Sequence, residues 1–145
     1  MFRYGAEILP YHDFDLETGL SELAKMGFKE VNLWSSAAPL AHHINPGDDT
    51  KKIRELLEKY KMRPSGITTY GKTQQEMLDR IDFASEIGID TMVFDCEANY
   101  ADFVNKFLPP LVERGRKKGV KIAVENHLTV PFSSDFETGT NEENR

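Results

Sequence analysis

The sequence has one cysteine, Cys96, in 145 residues. A single thiol can form neither an internal disulfide nor a multi-thiolate metal site, so zinc-finger readings are excluded and reducing surroundings suit the chain. Cys96 itself reads as an ordinary strand residue. Long apolar runs are missing too: nothing approaches the ~20 residues that a membrane-spanning helix needs. The opening MFRYGAEILPYHD lacks the charged-then-apolar order of a secretory signal. A cytoplasmic protein with no membrane partner is the expectation. Basic charge is scarce, with 18 Lys and Arg against 24 Asp and Glu and a net charge of −6. Affinity for nucleic acid comes mainly from Lys and Arg, so no nucleic-acid partner is expected. The basic clusters at 51–54 and 114–118 fall on predicted helices and read as solvated faces. No GxGxxG or GxxxxGKS/T pattern is present, which removes the best support for a nucleotide-binding open sheet.

What is present is the composition of a folded domain: 39% hydrophobic and 29% charged residues, with nine Phe and five Tyr. A unit of roughly thirty residues repeats, in which an amphipathic helix ends at glycine and a short apolar strand follows. LAKMGFKEVNLW, ASEIGIDTMVFDC and RGRKKGVKIAVEN show it directly, with Gly27, Gly88 and Gly119 where a helix end favours a left-handed residue. Helical spacing links Leu16, Leu20, Leu23 and Ala24, then Ile53, Leu56, Leu57 and Tyr60. Thr73 to Glu76 forms a capping box that opens a third helix through Met77, Ile81 and Ala84. A fourth carries Phe103, Phe107 and Leu111, and Pro109 with Pro110 either kinks it or restarts it.

Strands are expected at 2–9, 30–34, 63–69, 91–96 and 121–126. Their apolar runs lack strict alternation, as in parallel strands covered on both faces. Strands and helices alternating at this spacing give a parallel α/β sheet with right-handed crossovers, either doubly wound or closed as a barrel. A barrel gathers its chemistry on the loops after the strand C-termini. Those positions hold Tyr11-His12-Asp13, Trp34-Ser35-Ser36 with His42-His43, Thr68-Thr69-Tyr70, Asp95-Cys96-Glu97 and Glu125-Asn126-His127. Reactive side chains at all five strand ends favour the barrel.

Over residues 1 to about 131 the sequence resembles the sugar phosphate isomerases/epimerases with a xylose-isomerase-like TIM barrel, through GFKEVNLWSS, GIDTMVFDCE and above all GVKIAVENH. The resemblance implies a (β/α)8 barrel of which this chain supplies about the first five β/α units. It implies that Glu125, the glutamate ending the fifth strand, binds a divalent metal ion (Mn, Mg, Co or Zn) and exchanges a proton with the substrate carbon. Removing a proton next to a carbonyl builds enediolate charge, which a divalent ion stabilises as a Lewis acid. The small-molecule partner would be a keto sugar, a polyol or a derivative of one. Trp34, His42, His43, Glu97, Asn126 and His127 are the candidate substrate contacts. Trp34 alternatively packs in the core, and the histidines alternatively form a solvated pair.

A complete barrel takes about 250 residues. The chain supplies five strands, so the expectation is a partial-barrel domain over 1–131 and a loop or poorly ordered tail over 132–145. In the family the remaining metal ligands come from later strands, so the chain alone is expected to lack activity. Exposed edges of an open sheet predict a homo-oligomer or pairing through those edges. The competing readings are a non-catalytic half-barrel assembly module, a metal-dependent endonuclease on the same scaffold and a glycosidase using Glu97 as its acid.

Overall fold

A computed structural model describes residues 4–36, 40–70, 73–94 and 103–125. Strands and helices alternate as β1 (Gly5–Glu7), α1 (Leu16–Lys25), β2 (Glu30–Ser36), α2 (Thr50–Lys59), β3 (Arg63–Tyr70), α3 (Gln74–Ile87), β4 (Thr91–Phe94), α4 (Leu108–Lys118) and β5 (Lys121–Val124). The five strands form one parallel sheet in the order β1-β2-β3-β4-β5. Right-handed crossovers in an unreversed order put every helix on the same side of the sheet, as in a barrel; a doubly wound sheet reverses its order.

The helix-facing side of the strands is mostly apolar, with Ser35 and Thr69 as buried polar members. Val31, Leu33, Ile67, Met92 and Phe94 are fully buried and join Leu20, Ile81 and Leu111 from the helices in one core. Val124 stands at the end of this layer with 41% of its surface exposed.

Each helix start has a capping side chain except the last. Asp15 accepts from the Thr18 N–H, Asp49 from Lys51 and Lys52, and Thr73 from Glu76, satisfying donors that the first turn leaves orphaned. At α4 the chain restarts rather than kinks: a π-helical turn, Phe103–Phe107, runs directly into the helix, whose first turn holds Pro109 and Pro110. Those positions lack intrahelical N–H partners anyway, so proline costs little there.

All four helices end in the same motif. The N–H of Phe28 reaches the Leu23 carbonyl, Met62 reaches Leu57, Ile89 reaches Ala84 and Val120 reaches Gly115, at 3.2, 2.8, 2.9 and 2.8 Å. The expected glycines supply the left-handed residue at three ends. At the α2 end Lys61 adopts it, with φ of 54°, which is why that junction escapes the glycine pattern.

Two departures bear on the site. β1 stops at Glu7, short of the expected 2–9 strand, because the chain turns through a 3-10 turn at Leu9–Tyr11 that contains Pro10. Between β2 and β3 the pairing skips a residue: Val31 lies opposite Pro64, yet Asn32 lies opposite Gly66. The extra residue, Ser65, makes a bulge, and the strand proline beside it has no ladder N–H to lose. The expected ends of the fourth and fifth strands, 95–96 and 126, and the predicted tail at 132–145, lie outside the described residues.

Candidate functional site

Side chains alternate across a strand, so each strand that sends one residue into the core sends the next to the opposite, open face. On β2 that face receives Asn32 and Trp34, between Val31, Leu33 and Ser35 on the buried side. On β3, after the bulge, it receives Gly66, Thr68 and Tyr70, which pair with Asn32, Trp34 and Ser36. β1 contributes Glu7 opposite Asn32.

These residues are joined. Glu7 Oε2 accepts from Asn32 Nδ2 at 2.7 Å, and Asn32 Nδ2 donates also to Thr68 Oγ1 at 2.8 Å. Glu7 Oε1 accepts the indole N–H of Trp34 and the backbone N–H of Ile8, the latter at 3.1 Å. An acceptor-only carboxylate fixes the orientation of the Asn32 amide, NH2 toward Glu7 and Oδ1 toward β3. Gly66 makes room for that oxygen: a Cβ there would stand 3.0 Å from Asn32 Oδ1 and 3.4 Å from the Thr91 carbonyl.

Aromatic rings extend the network toward the strand ends. Trp34 stacks on Tyr70, with centroids 5.4 Å apart, and on His43, at 6.1 Å and an interplanar angle of 11°. His43 Nδ1 and the Ser36 hydroxyl share a hydrogen bond of 3.2 Å. The segment carrying His43 is held against β2 by the Ile44 N–H on the Trp34 carbonyl at 3.0 Å and by Ser35 Oγ on Asn45 Oδ1 at 3.0 Å.

The two adjacent histidines have different fates. His43 lies in the aromatic row, whereas His42 is fully buried, edge-on to it at 4.6 Å, with neither ring nitrogen hydrogen-bonded among the described residues. Burial, helped by the neighbouring His43, holds the His42 imidazole below its usual pKa; the nearby His12 main chain partly offsets this without reaching hydrogen-bond geometry.

Glu125 follows β5 directly, its N–H donating to the Phe94 carbonyl at 3.0 Å. Ile122 packs toward Gly115 of α4, so alternation gives Ala123 and Glu125 to the open face. Of the residues singled out from sequence, Trp34 and His43 come together, Glu125 follows β5 on the same face, and His42 sits beneath His43. Glu97, Asn126 and His127 lie outside the described residues. Glu7, Asn32 and Thr68 were not expected. Glu7 falls in the middle of the strand expected at 2–9, and Pro10 is the sequence signal that β1 ends so early.

The described residues contain no group of three or more His, Cys, Asp or Glu side chains able to hold a metal ion. Glu125 is one hard oxygen donor and does not by itself fit a divalent ion, which needs several. Among the described residues no helix is long and apolar enough to cross a membrane.

An unreversed parallel sheet with its helices on one side and reactive side chains at the strand ends is the first part of an α/β barrel. Solved structures identify which kind. A sugar phosphate isomerase/epimerase from Parabacteroides distasonis superposes with a TM-score of 0.64 at 15% identity, over 84% of this chain and 50% of that one. A xylose isomerase domain containing protein from Salmonella typhimurium gives 0.66 at 15%, over 84% and 48%. The IolI protein, solved with a binding zinc atom, gives 0.64 at 12%, over 85% and 51%. The chain therefore has the xylose-isomerase-like TIM barrel fold and spans about half the length of these structures. No protein-family model and no curated protein matches it.

Proposed function

We propose that this chain forms the N-terminal part of a sugar isomerase or epimerase, with its open face as one wall of the substrate site. The observation that supports this most is the gathering of Glu7, Asn32, Trp34, Thr68, Tyr70 and His43 into one hydrogen-bonded and stacked surface on the face that Glu125 shares. A sugar ring presents apolar C–H patches and a rim of hydroxyls, and a tryptophan face beside carboxylate and amide groups answers both. His43 serves as the hydroxyl contact expected of the histidine pair, with His42 as its buried support. Glu97, Asn126 and His127 are carried as further contacts from the strand ends.

Glu125 takes the proton from the carbon next to the substrate carbonyl and holds it for return, which is general acid/base work suited to a carboxylate. The zinc of the IolI structure makes a divalent ion part of the same reading. Glu125 would give it one ligand, and the further donors would come from outside the described residues. The β1 and β5 edges, which no strand pairs among the described residues, and the exposed Val124 support pairing through sheet edges, with a second copy or with further barrel strands. Light scattering that finds a clean monomer of this chain would remove pairing with a second copy.

The proton-transfer reading is tested by incubating a complete barrel protein containing this chain with ketoses in deuterated buffer. Deuterium should enter next to the carbonyl, and Glu125→Gln should slow its entry by about 100-fold or more. An E125Q protein that exchanges at the original rate would refute it.

A further inference from the structure

The Glu7 network has a particular set of unused hydrogen-bonding positions. A carboxylate accepts about four hydrogen bonds; among the described residues Glu7 takes those of Asn32, Trp34 and Ile8, which leaves one position on Oε2. The NH2 group of Asn32 has spent both hydrogens, on Glu7 and Thr68, while its Oδ1 has no donor among the described residues. Thr68 Oγ1 accepts from Asn32, and its own hydrogen has no acceptor among the described residues. Thr68 is nearly buried, Asn32 half-buried and Glu7 exposed, so the three descend from the face into the sheet. What remains on offer is two acceptors and one donor, with a negative charge at the outermost position.

That pattern discriminates between ligands. A hydroxyl gives one hydrogen and accepts others, so adjacent sugar hydroxyls can satisfy all three positions. A phosphate ester offers only acceptors and carries negative charge, so it would leave Asn32 Oδ1 and Glu7 Oε2 unpaired and set like charges together. The Lys and Arg residues described on strands lie at the opposite ends: Arg63 and Lys121 open β3 and β5. Arg63 is paired with Glu30 at 2.8 Å, and Lys121 lies 3.8 Å from Asp90.

We infer that Glu7, Asn32 and Thr68 form a hydroxyl-reading subsite that commits the site to the uncharged, polyhydroxylated end of a sugar, with Glu7 as the specificity-determining residue. This rests on the sugar-binding reading above and narrows it to unphosphorylated substrates at this wall.

The chain's one tryptophan gives a direct readout, because Trp34 donates its indole N–H to Glu7. Its indole resonance can be followed by NMR while the intact chain is titrated with a neutral ketohexose and, separately, with its phosphate ester. The neutral sugar should bind at least about tenfold more tightly than the ester. Glu7→Gln should narrow that ratio several-fold, as should Asn32→Leu, which removes the Oδ1 acceptor in a side chain of similar shape and so guards against a misfolded Glu7 variant. A ratio near one in the native chain, or a ratio that neither substitution moves, would overturn the subsite while leaving the sugar-binding reading in place. If neither ligand perturbs the indole of the folded chain, both fail together.

Discussion

The two faces of the same five strands are built on opposite terms. Toward the helices, Val31, Leu33, Ile67, Met92 and Phe94 are fully buried and belong to one apolar core. One residue away along the same strands, Glu7, Asn32, Trp34, Thr68 and Tyr70 are held by directed hydrogen bonds and ring stacking. Burial of apolar area is non-directional and supplies most of the stability. Directed bonds supply little net stability but fix positions. The contrast teaches that on this sheet stability and candidate chemistry can be damaged separately.

The most severe test of that separation is Phe94→Ala. Phe94 is fully buried and meets Phe103 edge-on with centroids 6.4 Å apart. Its truncation should cost about 3–5 kcal/mol in denaturant unfolding, with the open-face network of the surviving folded fraction unchanged. Gly66→Ala attacks the other face. Its Cβ would crowd Asn32 Oδ1 at 3.0 Å, costing about 1–3 kcal/mol, and the Trp34 indole resonance should move more than core methyl resonances do. An unmoved indole would mean that the Asn32–Glu7 link does not hold the tryptophan.

The smallest effect belongs to the rim, where the two regimes meet at His42. Its folded-state pKa is lowered by burial, so the unfolded chain binds the proton more readily. Stability from this group is therefore complete above about pH 6.5 and falls as the pH drops below that value, levelling off below the folded-state pKa. The slope should not exceed about 1.4 kcal/mol per pH unit. Urea unfolding between pH 7.5 and pH 5 measures it, and His42→Leu should flatten the slope; an equal slope in the variant would assign the loss to other groups.

Much of the frame was legible in the sequence because it is encoded locally. The three glycine-ended helices, the Thr73 cap and the apolar strand cores declared themselves through periodicity and end signals. The α2 to β3 junction did not, since Lys61 takes by tertiary constraint the conformation that glycine takes elsewhere. The prolines of α4 signalled a break but not its form, a π-helical turn that hands over to an α-helix.

The site was legible only in part. Trp34 and Glu125 could be placed because they follow apolar strand runs. Glu7 could not, because its role depends on where β1 stops and on which residue of β2 lies opposite. Nothing in the adjacent letters of His42 and His43 says that one will be buried under the other. That difference is made by the return of the chain onto β2 through the Ile44 N–H.

The bulge at Ser65 has a consequence that reaches the mouth of the barrel. Counting without it, Ile67 rather than Thr68 would fall beside Trp34, and every later side chain of β3 would exchange faces. A strand that paired Ser65 in register instead of bulging it out would thus swap a hydroxyl for a hydrocarbon in the inner wall and drive Thr68 and Tyr70 into the greasy layer beneath the helices. The parity of one strand, more than the identity of any single residue on it, keeps this wall polar.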